Sequence, residues 1–211
     1  LNYCASNGND VSDEYISNVQ IGTINNTTGA SSSGYADYSS ISTNLTKGAS
    51  STITVTPTWT GTLYNEGYAV FIDYNKDGDF SDSGETVWTR TASQTTPVSG
   101  SFTVPTSAVT GNTRMRVSLK YNGVPTSCES FQYGEVEDYT ARMSYGYGDV
   151  KLAQPSSTPL SNDDISYAEE SFVEIAELNA NPVNTGEFIS GIVRGAIAFQ
   201  NVEIISPIPK K

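Results

Sequence analysis

The stretch Arg114-Met115-Arg116-Val117-Ser118-Leu119-Lys120-Tyr121 alternates polar and apolar side chains along its whole length. Successive side chains of a β-strand point to opposite faces of the sheet. The pattern therefore predicts an apolar face made of Met115, Val117, Leu119 and Tyr121, and a polar face made of Arg114, Arg116 and Lys120. We expect a half-buried antiparallel strand at this position.

Similar alternation surrounds this stretch, at residues 51–56, 68–72 and 100–104, with turn-forming residues between the segments. The chain is also rich in Ser, Thr, Gly, Asn and Tyr, which is typical of short strands joined by many turns. These features predict an all-β fold, an antiparallel, jelly-roll-like β-sandwich, over residues 1–142.

The character of the sequence changes after this module. Gly146, Gly148 and the run at 154–159 predict a linker or extended arm over residues 143–162. In the C-terminal extension, residues 163–211, apolar side chains at helical spacing favour a short helix over 163–178, and a strand through 172–175 is the alternative. Apolar runs at 188–193 and 196–205 predict strands.

The charge of the chain limits its partners. A formal net charge of −12 disfavours nucleic acid and anionic membranes and favours cations. No apolar stretch reaches the roughly 18 to 20 residues that cross a bilayer, so we expect no membrane span. With no histidine in the chain, the usual general base and the Ser/His/Asp and Cys/His catalytic sets are missing. We therefore expect no enzyme.

The chain has two cysteines, Cys4 and Cys128. They are too few for a cysteine-based zinc site and too far apart for a redox CxxC pair. A structural disulfide between them is the simplest interpretation, and it indicates an oxidising compartment.

A motif closes the predicted module: Tyr133-Gly134-Glu135-Val136-Glu137-Asp138-Tyr139. It resembles the GEVED domain of secreted bacterial proteins. Further segments agree with that family in order along residues 3–142, namely Tyr3-Cys4, residues 34–38, 71–75 and 77–80, 102–105, 114–116 and Cys128. The resemblance implies an accessory β-sandwich of a secreted or cell-surface bacterial protein, without enzymatic activity of its own.

A calcium-binding loop is predicted at residues 73–85. Oxygen ligands stand at the first, third and fifth positions, Asp73, Asn75 and Asp77, and a glycine stands at the sixth, as in an EF-hand loop. Asp79 at the seventh position can add its backbone carbonyl. Position twelve is a glycine, and Glu85 comes one residue late as a further ligand. Strand patterns flank the loop, so we expect no helix pair. The alternatives are a solvated turn and a magnesium site.

The acidic cluster of Glu135, Glu137 and Asp138 permits a glycosidase hypothesis with two catalytic carboxylates. On a strand, however, Glu135 and Glu137 share one face and Asp138 lies on the other. Ion pairing with the basic face of residues 114–120, at exposed positions, is the simpler explanation.

The sequence thus favours a structural or adhesive surface module that is stabilised by calcium and a disulfide. The segment 196–205 is too apolar to stay exposed, so the extension is expected to contact a neighbouring domain or an identical subunit, and strand exchange there would build a filament. The alternative is a carbohydrate-binding accessory module, because thirteen tyrosines could supply rings that stack on glycans.

Overall fold

A computed structural model describes residues 1–145, which fold into two β-sheets packed face to face. All the regular elements in this part of the chain are strands. They are β1 (Asn7–Asp10), β2 (Glu14–Ile21), β3 (Ile24–Thr27), β4 (Tyr35–Thr46), β5 (Ser50–Trp59), β6 (Glu66–Ile72), β7 (Thr86–Ser93), β8 (Val98–Thr103), β9 (Gly111–Tyr121) and β10 (Ser130–Ser144). The predicted all-β sandwich is confirmed.

One sheet has the strand order β1-β10-β9-β6-β7, with β4 also paired to β10, and the other has the order β3-β2-β5-β8. Most neighbours are antiparallel, as expected, but β10 pairs in parallel with both β1 and β4. These two strands share one edge of β10, first β1 and then β4. Alternation within a strand predicts which face is buried and not the direction of the neighbouring strand, so these parallel pairs have no local signal in the sequence.

The main core lies between the sheets and draws on both. Met115, Val117 and Leu119 of β9 are fully buried in it, which confirms the predicted apolar face, whereas Tyr121 at the strand end is 40% exposed. The facing sheet contributes further branched side chains, including Ile16, Val19, Ile53 and Val55. Burial of such apolar area supplies most of the favourable free energy of folding.

The polar face of β9 is not exposed, and the expectation of a half-buried strand is wrong for its middle. Arg116 is 2% exposed and Ser118 is fully buried. Ala69 and Phe71 of β6 lie beside Ser118 and Arg116 in the sheet and form a second, smaller apolar cluster with Phe80, against which Tyr3 packs. Phe80 and Tyr3, which cover this outer face, come from the β6–β7 loop and from the chain start, and both are distant in sequence from β9.

Three glycines mark a point where chain segments cross at very short range. A Cβ atom at Gly8 would overlap the carbonyl oxygen of Gly134, and one at Gly34 would overlap the carbonyl oxygen of Gly8. The carbonyl of Gly34 accepts hydrogen bonds from the amides of Gly8 and Val136, at 3.1 and 3.0 Å. This crossing is where β1 leaves the edge of β10 and β4 takes its place.

The last strand, β10, continues to Ser144. Apart from that strand end and Tyr145, the linker expected at 143–162 and the extension at 163–211 lie outside the described residues. So do the helix expected at 163–178 and the strands expected at 188–193 and 196–205. Among residues 1–145, no helix is long and apolar enough to cross a membrane.

Candidate metal-binding loop

The predicted metal-binding loop connects β6 to β7 across one end of the sandwich. Its backbone is organised by short acceptor side chains, each of which takes a hydrogen bond from the amide two residues later. Asn75 Oδ1 accepts from the amide of Asp77 at 3.1 Å, and Asp77 Oδ1 accepts from the amide of Asp79 at 3.1 Å. Asp79 Oδ1 accepts from the amide of Ser81 at 2.7 Å. Asp and Asn favour such turns, and Gly78 supplies the φ of 98° that the sixth position needs.

Asp73 and Glu85 hold the two ends of this loop. Asp73 is fully buried; its Oδ1 accepts the amide of Lys76 at 2.6 Å, and its Oδ2 accepts the amide of Gly78 and the Tyr3 hydroxyl. Glu85 is 2% exposed and accepts the amides of Tyr74 and Asp82. Burial is the main reason why the pKa of Glu85 is raised. Both carboxylates thus fix the shape of the loop.

The outer part of the loop brings three exposed carboxylates together. Oxygen atoms of Asp77, Asp79 and Asp82 lie within 4.8 Å of one another. The amide of Asn75 bridges two of them, because its Nδ2 donates to Asp77 Oδ2 at 2.9 Å and to Asp82 Oδ2 at 2.7 Å. Hydrogen bonding, first of all from Asn75, lowers the pKa of Asp77, so this group carries its negative charge at neutral pH.

The basic side chains around the loop form their hydrogen bonds and ion pairs with groups outside the Asp77, Asp79 and Asp82 cluster. The ammonium of Lys76, which lies within the loop, donates to the carbonyl oxygen of Thr110. Arg114 pairs with Asp37 and Asp138, and Arg116 pairs with Asp138. Three like charges within 4.8 Å repel one another unless a cation compensates them. The arrangement can therefore hold a hard cation on oxygen donors.

The structure divides the sequence-predicted ligands into two groups. Asn75, Asp77 and Asp79 lie in the exposed cluster, whereas Asp73 and Glu85 lie at the buried base of the loop. Asp82 joins the cluster and was not predicted, because the twelve-residue EF-hand template has no side-chain ligand at its tenth position. The loop is one residue longer than the EF-hand template, because Glu85 stands at the thirteenth position. This extra residue was the available signal that the acids after Asp79 need not follow the template spacing.

The outer face beneath the loop is a set of stacked rings and arginines. The rings of Tyr3 and Phe80 stack with centroids 5.1 Å apart, Arg114 lies over Tyr3, and Arg116 lies over Phe80. The predicted disulfide joins Cys4 to Cys128, just before β10. It fastens the N-terminal segment over this face, so the segment can present the Tyr3 hydroxyl to Asp73 at 2.7 Å.

The acidic cluster on β10 is buried, which corrects the expectation of exposed ion pairs. Only Asp138 meets the basic face, where it pairs with Arg114 and Arg116. On the opposite face, as predicted for Glu135 and Glu137, both carboxylates point between the sheets. Glu135 accepts the amides of Ile16 and Ser31 at 2.9 and 2.7 Å.

Glu137 is also fully buried between the sheets, and it accepts two hydroxyl groups. Those of Thr28 and Tyr139 donate to it at 3.0 and 2.7 Å. Burial is the main reason why the pKa of Glu137 is raised to about 7. The GEVED motif therefore joins the two sheets through hydrogen bonds rather than through surface ion pairs.

Comparison with known families finds the GEVED domain in the second half of the described sandwich. The model of the GEVED domain matches residues 67–142, a range that begins in β6, contains the β6–β7 loop and ends near the end of β10. The earlier segments of the resemblance, Tyr3-Cys4 and residues 34–38, lie outside this match. A search of curated proteins found no match. The resemblance to the GEVED domain is thus confirmed.

Proposed function

We propose, from the GEVED domain that this chain contains, that it is a non-catalytic extracellular module whose β6–β7 loop binds a calcium ion. The observation that carries the proposal is the convergence of the Asp77, Asp79 and Asp82 carboxylates within 4.8 Å. Asn75 adds a neutral side chain at the same place through its hydrogen bonds to two of them.

The donor set fits calcium in its chemistry. Its side chains offer oxygen ligands, which hard cations prefer, and calcium accepts six to eight of them in flexible geometry. Magnesium demands a stricter octahedron and retains more water. In this proposal Asp77, Asp79 and Asp82 hold the ion, Asn75 orients two of them, and Asp73 and Glu85 keep the backbone in the binding conformation. The ion supplies the positive charge that compensates the cluster.

Two observations support an extracellular location. The Cys4–Cys128 disulfide is of a kind that persists in oxidising compartments. The GEVED resemblance implies a secreted bacterial protein. Assays on panels of glycosides and peptides test the proposal that the module has no catalytic activity. Turnover of any of these substrates would contradict it.

Chelation tests the calcium proposal. Removal of the ion should lower the melting temperature of the full chain, and readdition of calcium should restore it, because a ligand at 100 times its Kd stabilises the folded state by about 2.7 kcal/mol. Asp77→Ala should abolish the difference. Asp10→Ala is the matched control, since its carboxylate accepts the amide of Ser12 away from the loop. A melting curve of the wild-type chain that does not respond to exhaustive chelation contradicts the proposal.

The structural or adhesive role extends this proposal to the segment 163–211. Its apolar run at 196–205 supports pairing with a neighbouring domain or an identical subunit, since an exposed apolar strand is a template for strand addition. Sedimentation of the full chain over a range of concentrations tests this, with a chain ended at Gly148 as the control. Assembly that the shorter chain loses supports it, and a strict monomer at high concentration contradicts it.

A further inference from the structure

A second candidate site lies at the other end of β6 from the metal-binding loop. A pocket of about 150 Å³ is lined by Asp13, Glu14, Tyr64, Tyr121 and Tyr133. The loop follows Ile72, whereas the pocket adjoins Glu66, which pairs with Tyr121 in the sheet. Seven residues of extended chain separate the two sites by roughly 20 Å.

The walls of this pocket are aromatic rings set edge to face. Tyr64 and Tyr121 have centroids 5.6 Å apart with an interplanar angle of 86°, and Tyr121 and Tyr133 are 6.0 Å apart at 88°. Perpendicular rings enclose a space from different sides. They do not form the flat platform that stacking on a sugar ring requires, and they suit a compact group that touches several ring faces.

The floor of the pocket is a buried carboxylate. Glu14 is 2% exposed, and its Oε1 has no hydrogen-bond partner among residues 1–145. Behind it, Glu66 is fully buried; its Oε1 accepts the indole N–H of Trp59 at 3.2 Å, and its Oε2 has no partner among the same residues. A buried carboxylate without a partner is costly unless a cation or a proton compensates it.

The surroundings add negative charge and apolar surface. Asp13 lines the pocket, and Asp10 pairs with Tyr133 in the sheet. Lys120 directly precedes Tyr121 on β9, and its ammonium is bound by Glu129. Exposed apolar side chains lie in the adjoining loops, Leu63 before β6 and Val124 after β9. The pocket thus has an acidic floor and aromatic walls, and exposed apolar side chains lie close in sequence to two of its lining residues, Tyr64 and Tyr121.

We propose that this pocket binds an alkylammonium group, namely the lysine side chain of a partner polypeptide. Ring faces attract a cation through their quadrupoles, and the attraction strengthens where water is excluded. The carboxylates supply the opposite charge, and the exposed Leu63 and Val124 offer apolar contacts to the residues that flank the lysine. A metal ion fits less well, because among residues 1–145 three converging acidic ligands occur only at Asp77, Asp79 and Asp82.

Titration of the calcium-loaded full chain with small amines tests this inference. The probes are n-butylammonium and an acetylated, amidated Leu-Lys-Leu tripeptide. Binding is monitored by the NMR signal of the Trp59 indole N–H, which donates to Glu66. The matched neutral probe is the same tripeptide with Gln at its centre. We expect saturable shifts with the lysine peptide, weaker binding of n-butylammonium, and no saturation with the neutral peptide.

Two variants connect the binding to the pocket. Glu14→Gln keeps the size of the side chain and should raise the Kd of the lysine peptide about tenfold or more. Tyr133→Leu changes a partly exposed wall of the pocket and should weaken the binding of the lysine peptide as well.

Asp82→Asn, at the opposite end, should weaken metal binding and leave peptide binding unchanged, so the two proposals can fail separately. Absence of saturation, equal binding of the neutral peptide, or unaltered affinity in both pocket variants would overturn the inference. Equal affinity for n-butylammonium would overturn the polypeptide assignment.

Discussion

Arg116 and Asp138 form a buried, bidentate ion pair on the outer face of the sheet. Arg116 Nε lies 2.8 Å from Asp138 Oδ1, and Nη2 lies 2.9 Å from Oδ2. The third nitrogen, Nη1, donates to the carbonyl oxygens of Cys4 and Ser127 at 2.9 and 2.7 Å. One guanidinium therefore joins the final acid of the GEVED motif to both sides of the disulfide. The planar fork of arginine suits this task, and the ammonium of lysine does not.

Arg116→Ala should lower the free energy of unfolding by about 3 to 5 kcal/mol, because it leaves Asp138 as a buried, poorly compensated charge. Arg116→Lys should also destabilise the protein. In a double-mutant cycle, adding Asp138→Ala to Arg116→Ala should cost much less than Asp138→Ala costs alone. Chemical denaturation measures all of these. Arg90→Ala, at an exposed position, is the control. Additive effects of the two single variants would show that the pair is not coupled.

Gly8→Ala should destabilise the protein by about 1 to 3 kcal/mol, the usual cost of overpacking. The reason is that the new methyl group would overlap the carbonyl oxygen of Gly134. Gly34→Ala adds the strain of a φ of 66°. Gly29→Ala is the matched control, since its Cβ would meet nothing within 4 Å. Equal denaturation midpoints for Gly8→Ala and Gly29→Ala would rule out the close crossing.

The strand pattern was enough to predict the apolar face of β9, because alternation is a property of adjacent residues. It could not predict that the opposite face is buried, since the cover comes from Tyr3 and from Phe80. The pairing of β4 with β10 joins residues about 100 positions apart, such as Tyr35 and Val136, and has no local signal. At the metal-binding loop the spacing identified the first ligands, and the single inserted residue hid Asp82.

The disulfide is expected to stabilise the fold mainly by restricting the unfolded chain. Cys4 and Cys128 are 124 residues apart, and a loop of that size corresponds to about 4 to 5 kcal/mol in the chain-entropy account. The double variant Cys4→Ala, Cys128→Ala should lose that amount in a denaturant titration without reductant. Wild-type protein under reducing conditions should match the variant. A midpoint that the double variant leaves unchanged contradicts this prediction.

Glu14 should make stability depend on pH. Burial first, and then the charges of Glu66, Asp13 and Asp10, raise its folded pKa from 4.5 to about 7. Below pH 4.5 the group is protonated in both the folded and the unfolded states. As the pH rises towards 7, the unfolded state ionises first, so this group progressively destabilises the fold, and the effect is constant above that pH.

Glu14→Gln removes that contribution. The stability of the variant relative to the wild type should therefore rise between about pH 4.5 and 7 and then level off. Thermal or chemical unfolding at several pH values, at fixed ionic strength and without amines, measures the difference. A stability difference that does not vary with pH over this range would show that folding does not raise the pKa of Glu14.

Calcium titration of the metal-free full chain, followed by isothermal calorimetry, tests the central claim most directly. We predict saturable binding that Asp82→Asn weakens at least about tenfold, a loss of 1.4 kcal/mol or more in binding free energy, while Asp10→Asn binds as the wild type does. Asp82 is the decisive position because the structure alone places it beside Asp77 and Asp79. Absence of calcium binding, or full affinity in Asp82→Asn, would contradict the assignment of this cluster as the metal site.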